Sequence, residues 1–239
     1  MTVNFEIVDH PARACAALMV GAALGGGHIV LAGGSTPRAA YEEFVQAVEA
    51  VGLKLVKTIL WMGDERCVPA DDERSNYRMI RESLLEPLGE DNQPSMERIL
   101  GELGPEPATD DYERRLRAAG PPRFDLVILG IGPDGHTASL FPGQRSLCVG
   151  DRLVVGVTEA GLEPFVPRVS MTVAALTTTR QLVVLAEGDG KAGAVAEAFG
   201  PGAEPDVHVP ASLLVPEAKL LTVLMDGAAA TGLEGAGLR

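Results

Sequence analysis

The sequence has no paired cysteines, no excess of basic charge and no apolar run long enough to cross a bilayer. Its three cysteines, Cys15, Cys67 and Cys148, are odd in number, far apart and never in a CxxC spacing. That argues against a disulfide framework or a zinc site and suits a reducing compartment. Lys plus Arg number 20 against 33 Asp plus Glu, for a formal net charge of −13. So acidic a surface repels nucleic acid and anionic lipid. An anionic substrate would therefore need a few cations gathered locally against the overall field. The stretch that most resembles a signal-peptide core, CAALMVGAALGGG, follows Glu6 and Asp9 with only Arg13 basic. Its 13 residues fall short of the ~20 that a spanning helix needs. These absences lead to the expectation of a soluble, cytoplasmic monomer or small homo-oligomer with no nucleic-acid or membrane partner. Also missing are a Walker A GxxxxGK loop and a Gly-x-Ser-x-Gly nucleophile elbow.

What is present is ample material for a core: 239 residues, 46% of them hydrophobic. Strand-length apolar runs alternate with longer amphipathic stretches, the signature of a mostly parallel sheet covered by helices. The strand candidates are NFEIVD, HIVLAG, TILWMG, FDLVILG, RLVVGV, QLVVLAEG and KLLTVLMD, several apolar throughout as in a sheet buried on both faces. After GGST, Tyr41, Phe44, Val45 and Val48 recur at helical spacing, with Thr36 as the expected N-cap and Pro37 at the first helical position. A helix from Ser75 gathers Tyr77, Ile80, Leu84 and Leu88 on one face. No repeat or linker divides the chain. The reading is α/β, one three-layer Rossmann-like domain spanning residues 1–239 with a mostly parallel sheet flanked by helices.

Four stretches at strand ends carry the chemistry. In LAGGSTP, Gly33 and Gly34 turn the chain and Ser35 and Thr36 open a helix, which makes a cradle for a phosphate or a plain capped turn. In GDERCVPADDERSN, Asp64, Glu65 and Arg66 stand at the carboxyl end of a strand, where parallel sheets build their sites. Cys67 reads as a small buried hydrophobe. ILGIGPDGHTASLFPG contains Gly130-x-Gly132-x-x-Gly135, but Pro133 removes an amide and Asp134 adds a negative charge where a pyrophosphate wants donors. The working residue there is instead His136, two residues from Asp134 in a glycine turn. A carboxylate can fix its tautomer and stabilise its protonated form, which suits a general base. His10, His28 and His208 have no such setting. Finally, Arg168, read as lying in a turn, and Lys191, at a helix start, are cations that could converge with the Gly33–Thr36 cradle on an anion.

Taken in order, LAGGSTP, GDERCVPADDERSN, GIGPDGHTASLFPG, RVSMT, EGDGKA and PASLL resemble the bacterial type of 6-phosphogluconolactonase, in a fold group shared with glucosamine-6-phosphate deaminases. The resemblance runs from about Ile29 to Ser212, and DGHTASLFPG is its most specific part. It departs at TEAGLEPFVPRVSMT, where the family often carries a Ser-Pro-Lys-Pro-Pro stretch and this chain has two glutamates and no lysine. The resemblance implies cofactor-free hydrolysis of 6-phospho-D-glucono-1,5-lactone, with His136 as base, Asp134 as its support and Arg66 at the developing oxyanion. Gly33, Gly34, Ser35, Thr36, Asp64, Arg168 and Lys191 would bind the substrate and its phosphate. In the deaminases Asn-Glu-Pro follows the DGH segment, and its Glu supports the histidine; here Leu140-Phe141-Pro142 follow. Arg66 also replaces a usual aromatic, so the lactonase is favoured over the deaminase, and over a sugar-phosphate-sensing regulator that would need a DNA-binding segment.

Overall fold

The computed structural model describes residues 3–120 and 123–234. In chain order the elements are β1 (Val3–Ile7), α1 (Pro11–Ala23), β2 (His28–Leu31), α2 (Ser35–Val51), β3 (Ile59–Met62), β4 (Asp64–Arg66), α3 (Asn76–Ile80), β5 (Ser95–Glu97), α4 (Pro105–Ala118) and β6 (Phe124–Gly130). There follow β7 (Val154–Val157), β8 (Arg168–Met171), α5 (Val173–Thr177), β9 (Thr179–Ala186), α6 (Ala192–Phe199), α7 (Leu214–Glu217), β10 (Leu221–Met225) and α8 (Gly227–Glu234). Seven strands form one sheet in the order β1-β10-β9-β6-β2-β3-β5, and every pairing in it is parallel. Leu126, Val127, Ile128 and Leu129 of β6 are all buried in succession. A strand can bury consecutive side chains only where helices cover both faces, so the expected layered α/β architecture is present. No described helix is long and apolar enough to cross a membrane.

A second sheet, β4-β8-β7, is small and antiparallel. RLVVGV therefore supplies β7 of this sheet and not a strand of the parallel one. Arg168 begins β8 and is not in a turn. The two sheets join where Gly63 donates to the Leu31 carbonyl (2.9 Å) and accepts from the Met171 amide (2.7 Å). This junction delivers β4 and β8 to the carboxyl end of the main sheet.

Two buried tyrosines finish the strand ends there. The Tyr41 hydroxyl of α2 donates to the Ala32 carbonyl (2.8 Å) and accepts from the Ala32 amide (2.9 Å). The Tyr112 hydroxyl of α4 does the same for Met62, at 3.0 and 2.8 Å. Each satisfies both backbone groups of one residue where the ladder stops, as buried peptide groups require. Burial pushes both phenols well above their usual pKa, so they stay neutral donors.

Candidate active site

The cradle forms because Gly34, at φ 106°, turns the chain into α2 and is its N-cap. Thr36, expected as the cap, lies instead inside the first turn with Ser35 and Pro37. Side chains disfavour a φ of this sign and glycine does not, so the helix begins two residues earlier than the Thr-Pro signal suggests. Pro37 costs no bond, since first-turn amides have no intrahelical acceptor. Gly33 is required by close approach: a β-carbon there would overlap the Asn76 side-chain amide.

The dyad is built by the turn after β6. Gly132 donates to the His136 carbonyl (2.8 Å) and accepts from the Gly135 amide (3.0 Å), with Gly135 at φ 79°. This brings His136 Nδ1 to 2.5 Å from Asp134 Oδ1, which also accepts from the His136 backbone amide (3.2 Å). A carboxylate only accepts, so Nδ1 carries the proton and Nε2 is left basic. Gly132 is glycine because a β-carbon would overlap His136 Nδ1 and stand 2.6 Å from Asp134 Oδ1. The glycines of GxGxxG thus serve the imidazole and the tight turn. On its other side the His136 ring meets Phe141, at 4.9 Å between centroids.

The third wall is β4 with β8. Glu65 is buried and accepts four hydrogen bonds, from the Arg66, Asn76 and Tyr77 amides and from Ser75 Oγ. It clamps the start of α3 to β4, and burial raises its pKa despite those donors. Its lone pairs are spent on structure. Cys67 is half-buried, and burial pushes its thiol up to about 11, which leaves it inert at neutral pH.

Arg66 and Arg168 are directly paired across β4 and β8. Like charges opposite one another are unfavourable, and burial followed by the nearby Arg66 charge holds Arg168 below its usual pKa. Arg168 lies over the Phe141 ring at 5.6 Å and donates to the Leu162 (3.1 Å) and Pro164 (2.9 Å) carbonyls. The loop that departs from the family's lysine-proline pattern thus anchors this arginine through its backbone. Arg66 donates to the Arg74 carbonyl (2.6 Å). Both Nε atoms are buried without a partner among the described residues.

Lys191 closes the opposite side, beyond β9. The Asp226 carboxylate accepts from the Gly188 amide (3.0 Å) and so fixes the loop ahead of it. Burial lowers the Lys191 pKa, and the Asp134 charge opposes that shift. Among the described residues the Lys191 side chain has no hydrogen-bond or ion-pair partner, so its ammonium is uncommitted.

Gly33, Gly34, Ser35, Thr36, Asp64, Arg66, His136, Arg168 and Lys191 all line one cavity of about 230 Å³, and Asp134 backs His136 from behind. Within it Lys191 sits on the Asp134 side and Arg168 beside Arg66. Three further residues went unread in the sequence: Asn76, Ser139 and Ala138. Asn76 closes the GDERCVPADDERSN stretch, and Ser139 and Ala138 lie in DGHTAS, but nothing in the spacing shows what they touch.

Residues 6–223 match the family described as glucosamine-6-phosphate isomerases/6-phosphogluconolactonase. The 6-phosphogluconolactonase of Synechocystis sp. is 35% identical over 231 residues, covering 93% of this chain and 92% of that one. The solved 6-phosphogluconolactonase of Trypanosoma brucei superposes with a TM-score of 0.82 at 26% identity, over 97% of this chain and 99% of that one. A monomeric glucosamine-6-phosphate deaminase superposes equally well, at 0.83 over 97% and 100%, but at 19% identity it shares the fold alone. The chain belongs to the glucosamine-6-phosphate isomerase/6-phosphogluconolactonase family.

Proposed function

We propose that the chain hydrolyses 6-phospho-D-glucono-1,5-lactone to 6-phosphogluconate, a step of the pentose phosphate pathway, by general-base activation of water. The observation that carries this reading is the Asp134–His136 pair at 2.5 Å, set in the same cavity as an anion cradle, Lys191 and two arginines. A lactone is an activated ester, so a positioned water and a base suffice. His136 Nε2 takes a proton from water as its oxygen attacks C1, while Asp134 stabilises the imidazolium. Arg66 faces the negative charge that gathers on the carbonyl oxygen. When the tetrahedral intermediate collapses, the C1–ring oxygen bond breaks and the imidazolium returns its proton to that oxygen. Such proton transfer contributes roughly 10²–10⁴-fold.

The phosphate is assigned to the amides and hydroxyls of Gly33–Thr36 and to Lys191, with Arg168 as a further substrate cation on the β4–β8 side. Asp64 contacts the sugar. A deaminase reading is disfavoured by Phe141: an aromatic ring packs beside His136 at 4.9 Å, where ring-opening chemistry would want a second carboxylate. The test is acid release from freshly made phosphogluconolactone, with glucosamine 6-phosphate as control substrate. Ammonia release from the control without lactone turnover would reverse the assignment.

A further inference from the structure

Asp64 is the buried acid of a cavity that gathers Arg66, Arg168 and Lys191; Glu163 and Glu187 also line it, but both are exposed. Asp64 is buried, yet it lines the cavity, and three segments converge to hold it. Ser139 Oγ, from the turn after β6, donates to Oδ2 at 2.6 Å. Asn76 Nδ2, from the start of α3, donates to Oδ1 at 3.2 Å and to the Asp64 carbonyl at 3.0 Å. Arg168 Nη1 stands 3.5 Å from the same Ser139 hydroxyl, so the carboxylate and the guanidinium share one bridge.

Delivering Ser139 requires backbone strain. Ala138 adopts φ 48°, and it is the one positive-φ residue other than glycine among those described. A left-handed alanine persists only where its surroundings over-determine it. Here Thr137 Oγ1 donates to the Gly130 carbonyl (2.9 Å) on one side, and Ser139 bonds Asp64 on the other. So elaborate a hold on one carboxylate exceeds what solvation of a stray charge needs. An ionised carboxylate offers about four acceptor positions, and protein side chains fill two of them.

We propose, building on the lactone reading, that Asp64 is a specificity-determining residue whose remaining lone pairs accept hydroxyl groups of the sugar ring. It thereby selects a polyhydroxylated lactone over deoxygenated analogues. Hydroxyls are the donors an uncharged sugar ring offers, and the anionic phosphate is repelled from this acid toward the cradle and Lys191. Fixing both oxygens sets which ring face they meet. Removing the matching hydroxyl leaves a buried charge underbonded, the situation in which sites discriminate strongly.

The test compares kcat/KM of the wild-type enzyme on 6-phosphogluconolactone and on its 2-deoxy, 3-deoxy and 4-deoxy analogues, then repeats the series with Asp64→Asn. Wild type is expected to lose about 10- to 100-fold on at least one deoxy lactone, the range of a charge-assisted hydrogen bond. In Asp64→Asn that penalty should shrink to within about threefold, while the pH profile of kcat keeps its shape because the base is elsewhere. Equal losses by Asp64→Asn on the parent and on every analogue would reduce Asp64 to a structural role and overturn the proposal. So would a wild type that handles all three analogues within about threefold of the parent, a result that needs no variant to fold. Absence of turnover on the parent lactone would sink the lactone reading itself and is distinct from either.

Discussion

Replacing Gly132 by alanine isolates the geometry of the base from its chemistry. No catalytic atom is removed, and the backbone at Gly132 does not require glycine for its φ. The added methyl overlaps His136 Nδ1 and Cε1 and stands 2.6 Å from Asp134 Oδ1. Ordinary contact lies near ~3.5 Å, so the ring must retreat by roughly 1 Å or more and its bond to Asp134 must break. A displacement of that size at a reacting group costs on the order of 10²-fold in rate. The groups pushed are side chains at a partly open cavity wall and not core atoms, so the fold should tolerate the change. The expected result is kcat down about 10²-fold with KM within about threefold of wild type, and a melting temperature within a few degrees by circular dichroism. Because both changes disable one unit, the Gly132→Ala/His136→Ala double variant should be no slower than His136→Ala alone. A folded Gly132→Ala enzyme with at least half the wild-type kcat would refute the reasoning.

Glu65→Gln turns an amide NH₂ toward donors that now meet carboxylate oxygens; it should cost about 2–4 kcal/mol in urea denaturation, and a loss under about 0.5 kcal/mol would show that the clamp on α3 is dispensable. Tyr41→Phe strips the partner from both backbone groups of Ala32 and should cost about 1–3 kcal/mol; an unchanged urea midpoint would contradict that. Burial pulls the Lys191 pKa below its ordinary 10.5, so as pH rises its charge is lost at a lower pH than an exposed lysine's. Binding of 6-phosphogluconate, followed by calorimetry because the lactone decays in alkali, should weaken as pH climbs toward 10.5, and Lys191→Arg should flatten the trend. A pH-independent affinity in wild type would remove Lys191 from the phosphate site.

The parallel sheet and the dyad were legible because both are written locally. FDLVILG and QLVVLAEG are apolar throughout, as strands covered on both faces must be, and Asp134 and His136 are two residues apart on one turn. What stayed hidden depends on long-range pairing. Asp64–Arg66 has no strand-like pattern and becomes β4 only because β8 pairs with it, and the same pairing takes Arg168 out of its expected turn and sets it against Arg66. Ser139 meets Asp64 across 75 positions of sequence, which no spacing rule reveals. The cap at Gly34 is hidden because Thr36-Pro37 is itself a genuine helix-start signal, and only the positive φ of Gly34 shows that the helix begins ahead of it.

The most direct measurement is acid release from freshly prepared 6-phosphogluconolactone, by pH-stat and corrected for spontaneous hydrolysis, with wild type and His136→Ala side by side. The expected result is rapid release by wild type and a kcat lower by roughly 10²–10⁴-fold in the variant, with KM and fold retained. A folded His136→Ala protein with near-wild-type kcat would contradict the assignment of the base, and a wild type no faster than the blank would contradict the activity.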